Sequence, residues 1–208
     1  DGLSLGLFNT ASLVAWLVIA ITLASSFKAP VTSLLLGLFP LALITGLLAW
    51  LFPSHGTTLV PAGGMLVVHV LLSILAYGIL TIAAFQASLL AIQNYQLKHK
   101  RPTRFIRTFP PLQTMERLLF QFLLCGEFLL TLALISGFLF LDNMFAQGVV
   151  HKTFLSCVAW VVFGILLWGR YFRGCRGSNA IRLTLAGFLL LALAYFGSKL
   201  VREFLLPY

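Results

Sequence analysis

The groups able to do chemistry in this chain are few: four histidines, one carboxylate in the middle of an apolar run, and a short ladder of hydroxyls. His69 and His151 each stand near the beginning of a long apolar stretch. Two neutral imidazoles on different helices at similar depth are the arrangement a bis-histidine haem needs, because the flat macrocycle slots between helices with iron bound on both faces. Spacing alone leaves a second reading open, in which His69 makes an interhelical hydrogen bond and His151 sits at an interface. His55 lies in a polar, glycine-rich stretch, either as a further metal or haem ligand or as a solvated loop residue. His99 belongs to a run of positive charge and is expected to be solvated.

His69, Ser73 and Tyr77 fall at i, i+4 and i+8 and form one polar stripe on a helix face. In an apolar helix such a stripe turns toward other helices or a cavity. It serves there either as a pocket wall whose hydroxyls orient a ligand or haem propionate, or as interhelical glue. Glu127 lies in the middle of an apolar run, where an ionisable group is costly and points to a functional site. With Thr131 one turn on, it suggests a proton or ion path. The absence of a matching base or second carboxylate in the central part of another run suits a protonated, hydrogen-bonded acid equally well. Glu116 and Arg117 stand where the same run begins, a place suited to capping and anchoring.

Other chemistry is excluded by what the sequence lacks. Cys125, Cys157 and Cys175 make no CxxC pair, so a thiol reductase, a zinc site and covalent haem attachment are not indicated. The first two are expected to pack among helices and the third to be a reduced cytoplasmic thiol. No phosphate-binding glycine loop, HExxH or GxSxG is present, and no catalytic turnover is expected.

The elements that must position these groups follow from composition. Of 208 residues, 60% are hydrophobic and 9% charged, against roughly 25% charged in a soluble domain. The mean hydropathy is +1.02. Six apolar runs, at about residues 8–27, 33–52, 65–95, 115–140, 153–172 and 183–200, approach or exceed the roughly 20 residues that cross a bilayer core. They do not alternate as barrel strands would. The expected fold is therefore an all-α, polytopic transmembrane helix bundle forming one domain, with the lipid bilayer as its surroundings. Trp16, Trp50, Trp168 and Tyr171 suit interfacial belts, with Trp160 deeper. Thr114, after Pro110-Pro111, is a candidate cap for the fourth helix.

The formal net charge of +9 does not indicate nucleic acid, because the positive residues gather at about 97–113 and 170–182, between apolar runs. Lys and Arg in short loops stay in the cytoplasm. Both segments are thus expected inside, with the chain's two termini, His55 and the 142–150 loop outside. The chain begins at Asp1 without an initiating Met or a signal-peptide pattern, so an N-terminally truncated or processed form is expected.

The run HVLLSILAYGILTIAAFQASLLAIQ from His69, then PPLQTMERLLFQ and GEFLLTLALISG, resembles the cytochrome c assembly membrane-protein family, its haem-handling CcsA/CcmC-type group. HKTFLSCVAWVVFGILLWGRYFRGCRG and LLLALAYFGSKLV extend the resemblance, so that the ordered set covers about residues 65–202. The short bacterial inner-membrane variety of the family is the nearest in pattern. The resemblance implies a bacterial inner-membrane protein of about eight helices, of which this chain holds the last six. It further implies haem b as cofactor, with His69 and His151 in regions where haem-handling relatives carry ligands. Relatives that deliver haem also carry a tryptophan-rich WWD-type segment in the outer loop between the equivalents of the fourth and fifth helices. Here that loop, 142–150, is short and has no Trp. The expectation is therefore haem binding between helices near the outer face, rather than presentation of haem to an apocytochrome. The competing functions are a haem-free accessory or scaffold subunit of another inner-membrane protein, and a small-solute or ion transporter using Glu127.

Overall fold

The computed structural model describes residues 7–27, 31–51, 64–99, 109–140, 150–174 and 176–197. They form six helices: α1 (Leu7–Ser26), α2 (Thr32–Leu51), α3 (Gly64–Lys98), α4 (Leu112–Phe140), α5 (Val150–Arg173) and α6 (Ser178–Ala192). A π-helical turn, Leu193–Gly197, continues α6. All six are long and apolar enough to cross a membrane, and no strand occurs among the described residues. In hydrocarbon every backbone N–H and C=O must find its partner within the protein, which a helix achieves along its own length.

α3 is the centre of the molecule. It packs most extensively on α4, and also on α6 and α1; α5 closes against α4 and α6, and α2 attaches mainly through α1. The buried side of α3 is small-residue rich, with Ala76, Ala83, Ala84 and Ala87 beside Leu80 and Ile82. Lipid tails are as apolar as Leu, so helices associate in a bilayer through close packing, for which small residues open the way. Gly126 of α4 shows how close this is: a Cβ there would lie 2.7 Å from the Leu80 side chain. Gly187 of α6 likewise receives the ring of fully buried Phe163. Large apolar side chains point outward instead, among them Trp16, Trp50, Phe128 and Tyr171.

The structure shifts several expected boundaries. α6 begins at Ser178, because Gly174 and Gly177 adopt φ of 62° and 63° and turn the chain within a few residues. The positive segment 170–182 is accordingly divided, with Arg170 and Arg173 on the last turn of α5 and Arg182 inside α6. Thr114 is not the cap of α4: the helix starts at Leu112, and the Thr114 N–H donates to the Pro111 carbonyl from inside the first turn. Cys125 does not pack among helices but is exposed on α4, whereas Cys157 is half-buried, and both are free thiols. Cys175 lies outside the described residues.

The closeness of α3 and α4 has a measurable consequence. Gly126→Val should destabilise the protein by about 1–3 kcal/mol, the usual cost of overpacking, and lower its thermal unfolding midpoint in detergent. Gly46→Ala, at a position where a Cβ meets nothing within 4 Å, should leave the midpoint unchanged. Equal midpoints for the two variants would contradict the packing described.

Candidate functional site

His69 is the sixth residue of α3, and its imidazole reaches across to α4. Nδ1 lies 3.0 Å from the Ala133 carbonyl oxygen and 3.0 Å from the Ser136 hydroxyl. The Ser136 hydroxyl itself donates to the Ala133 carbonyl, at 2.8 Å. A carbonyl oxygen can only accept, so Nδ1 carries the proton and shares it between these two oxygens. In the neutral ring Nε2 then holds a lone pair, and it makes no hydrogen bond among the described residues. A ring nitrogen fixed by a backbone carbonyl, with its partner nitrogen left basic, is how proteins orient a metal-ligating histidine.

The remaining stripe residues diverge. Ser73 is half-buried and its hydroxyl donates to the His69 carbonyl at 2.8 Å, holding the helix backbone directly behind the imidazole. Tyr77 faces α6 rather than α4. Its ring centroid lies 5.7 Å from that of Phe188 and 5.8 Å from that of Tyr195 in the π-helical turn. Thr10 of α1, fully buried, hydrogen-bonds the Tyr195 side chain. Tyr77 also lines a half-open, largely apolar cavity of about 340 Å³ between α1, α2, α3 and α6, walled by residues such as Val18, Leu38 and Phe85.

His151 is the second residue of α5, and its side chain lies outside the described residues, as does the whole of His55. The contacts made by α4 with α3 and with α5 run antiparallel, so α3 and α5 begin at the same end of the bundle. Counted from the Thr131–Trp160 hydrogen bond at a rise of 1.5 Å per residue, the His151 backbone sits about one helical turn nearer that end than Ser136, the partner of His69. The two helices therefore carry His69 and His151 at the same end of the molecule, about one turn apart in level.

Glu127 is nine-tenths buried on α4, and its Oε2 has no hydrogen-bond partner among the described residues. Thr131 does not bond to that carboxyl; its hydroxyl donates to the Glu127 carbonyl at 2.8 Å and accepts from the Trp160 indole N–H at 2.8 Å. At the opposite, basic end, Glu116 does more than cap a helix. It pairs with Arg170 at 3.2 Å and accepts the Gly177 N–H at 3.4 Å, while the Arg170 guanidinium lies over the Phe120 ring. No group of three or more metal-ligating side chains occurs among the described residues.

Sequence reasoning missed the residues on the receiving side: Ser136, the Ala133 carbonyl, Thr10 and Tyr195. The available signal was that each polar residue within an apolar run needs a partner on a neighbouring run, which makes Ser136 a natural counterpart for His69. At neutral pH, nitrogen-15 NMR of histidine-labelled protein should show the His69 ring protonated on Nδ1, a tautomer that persists in Ser136→Ala because the Ala133 carbonyl remains. That substitution should cost about 1 kcal/mol of stability; an Nε2-protonated ring in the wild type would refute this arrangement.

Comparison with known proteins agrees with this architecture. The chain is 37% identical over 203 residues to the inner membrane protein YpjD of Escherichia coli, a match covering 98% of this chain and 77% of that protein. It is 38% identical over 140 residues to a 28.8 kDa protein of Azospirillum brasilense, covering 66% of this chain and 52% of that one. More remotely, it is 21% identical over 198 residues to the protein HemX of Brevibacillus brevis, covering 92% and 72%. No solved structure matches. Six apolar helices and a relative named as an inner membrane protein fit a multi-pass inner membrane protein. The family model described as cytochrome C assembly protein matches residues 4–206, all six helices included, and the chain thus belongs to the cytochrome c assembly protein family.

Proposed function

We propose that this chain is a haem-handling inner-membrane protein that binds b-type haem at the end of the bundle where α3 and α5 begin, and that it turns over no substrate. The observation that carries this reading is the His69 imidazole, with Nδ1 held by the Ala133 carbonyl and Ser136 and with Nε2 left basic. That donor chemistry would suit His69 to hold haem iron. His151, opening α5 at the same end, is the second ligand in this proposal, and His55 a further candidate.

The contributions of the chain's own residues follow from their contacts. Ala133 and Ser136 fix the tautomer and orientation of His69, and Ser73 stiffens the turn that carries it. Tyr77 and Tyr195 close the adjoining space between α3 and the π-helical turn, limiting entry from the side of α6. A bound haem would supply an iron centre whose potential and accessibility are set by axial ligation and by the surrounding apolar side chains. The fold holds and relays; it presents no paired nucleophile and base among the described residues.

Orientation follows from charge. Arg170, Arg173, Arg176 and Arg182 gather where α5 meets α6, at the end opposite His69, and such residues are retained in the cytoplasm. His69 and His151 then lie toward the outer face, where a haem would be available to other inner-membrane proteins.

The test is the reduced-minus-oxidised absorption spectrum of detergent-purified protein expressed with ample haem. The wild type should show a b-type spectrum, lost in the His69→Ala, His151→Ala double variant and weakened in Ser136→Ala, since removal of a supporting contact typically costs about 10–100-fold in metal affinity. A wild type without haem would overturn the proposal in favour of a haem-free accessory or scaffold role.

A further inference from the structure

The haem reading makes no use of Glu127, and its surroundings are unlike those of any other carboxyl in the described part of the chain. Glu116 has Arg170 and the Gly177 amide. Glu127 is as buried as Glu116, yet its Oε2 has no donor. Among the described residues, the helices packed against α4 offer it no charge. On α3 it stands near the level of Ile79 and Leu80, which pack on its neighbour Gly126. The titratable groups of α3 lie elsewhere: His69 is bonded to Ala133 and Ser136, Tyr77 faces Phe188 and Tyr195, and Tyr95, Lys98 and His99 are at the far end. On α5, Lys152 and Cys157 lie toward one end, and Arg170, Tyr171 and Arg173 toward the other. On α4 itself, Glu116 and Arg117 are about three turns away, and Cys125 is exposed. A carboxylate without a counter-charge in a bilayer interior is costly, so the neutral acid is the stable form.

A second feature stands opposite the carboxyl. The α5 residue facing it is Gly164, and a Cβ built there would lie 3.7 Å from Glu127 Oε1, with no other side chain within 4 Å among the described residues. The α4–α5 seam is tied on either side of this point, by Trp160 on Thr131 toward the His69 end and by Arg170 on Glu116 and Phe120 toward the basic end. Between the ties the flanking residues Phe128, Val161 and Ile165 turn outward. The glycine therefore leaves a notch beside the carboxyl, between two fixed points of the seam.

We propose that Glu127 is a proton-exchanging carboxyl in the membrane interior, reached by water through the notch that Gly164 opens between α4 and α5. The acid proton passes to a water in the notch and another returns from it, with no change in oxidation state. The ligand class is thus the proton carried on water. This site is distinct from His69, and it stands whether or not the chain binds haem.

Infrared spectroscopy of the chain in liposomes tests this directly. At neutral pH the wild type should show a protonated-carboxyl C=O band that is absent in Glu127→Gln, and transfer to heavy water should shift that band within minutes. Gly164→Val, which fills the notch, should slow the shift by about tenfold, equivalent to a barrier raised by about 1.4 kcal/mol. Gly164→Ala adds a methyl at ordinary contact distance and should fold as the wild type does, with a smaller slowing in the same direction. A wild-type band that stays unshifted for hours would overturn the proposal by showing a sealed structural acid. So would the absence of any band assignable to Glu127, or exchange at the wild-type rate in both glycine variants.

Discussion

The constraint on which the structure depends is the close approach of α3 and α4. Those two helices meet with Gly126 against Leu80, and the pair is fastened by side chains that reach from α3 to backbone carbonyls of α4 or of the residues leading into it. Gln93 donates to the Pro110 carbonyl at 3.2 Å, Gln86 to the Met115 carbonyl at 2.9 Å, and His69 to the Ala133 carbonyl at 3.0 Å. The first uses a carbonyl ahead of the helix, and the other two each add a second bond to a carbonyl within it. Within hydrocarbon such bonds are worth roughly 0.6 kcal/mol on average, so they set register more than they drive association. Without that register the His69 imidazole would not meet Ala133 and Ser136.

Most hydroxyls in the bundle are not available for chemistry at all. Thr22, Ser73, Thr81, Ser88, Thr131 and Thr184 each donate to the carbonyl four residues earlier in their own helix. This back-bonding satisfies an otherwise costly donor locally and asks nothing of neighbours. It separates purely structural hydroxyls from those that also bridge helices, among them Thr10, Thr131 and Ser136, which reach Tyr195, Trp160 and His69. The polar groups that matter to function are thus those with a partner on another helix, or, like Glu127 Oε2, those with none.

Much of this was legible in the sequence, because a membrane imposes length and polarity requirements that a one-dimensional pattern displays. The six helices, the approximate position of His69 on the third, and the special standing of Glu127 all follow from where a polar residue interrupts an apolar run. The boundaries near Gly174 and Gly177 were not legible, since a positive φ at glycine leaves no mark that distinguishes it from any other glycine. Nor was the divergence of His69 from Tyr77: a helical stripe states which residues share a face, but two neighbouring helices, α4 and α6, divide that face between them. Cys125 was misplaced because burial in a lipid-facing molecule cannot be read from hydrophobicity, which is high on both sides of every helix.

The cavity between α1, α2, α3 and α6 makes the two sides of α3 unlike. On one side of α3, Gly126 of α4 fits closely against Leu80 and Ile79. On the other side α2 is held mainly by α1, with Val31, Leu34 and Leu38 buried and most of its remaining apolar surface turned outward. A cavity of about 340 Å³ lies beside it, and Gly37 of α2 approaches the Phe85 ring of α3 closely. A bulkier residue at Gly37 would therefore press directly on α3, so α2 is coupled to the core as well as to α1.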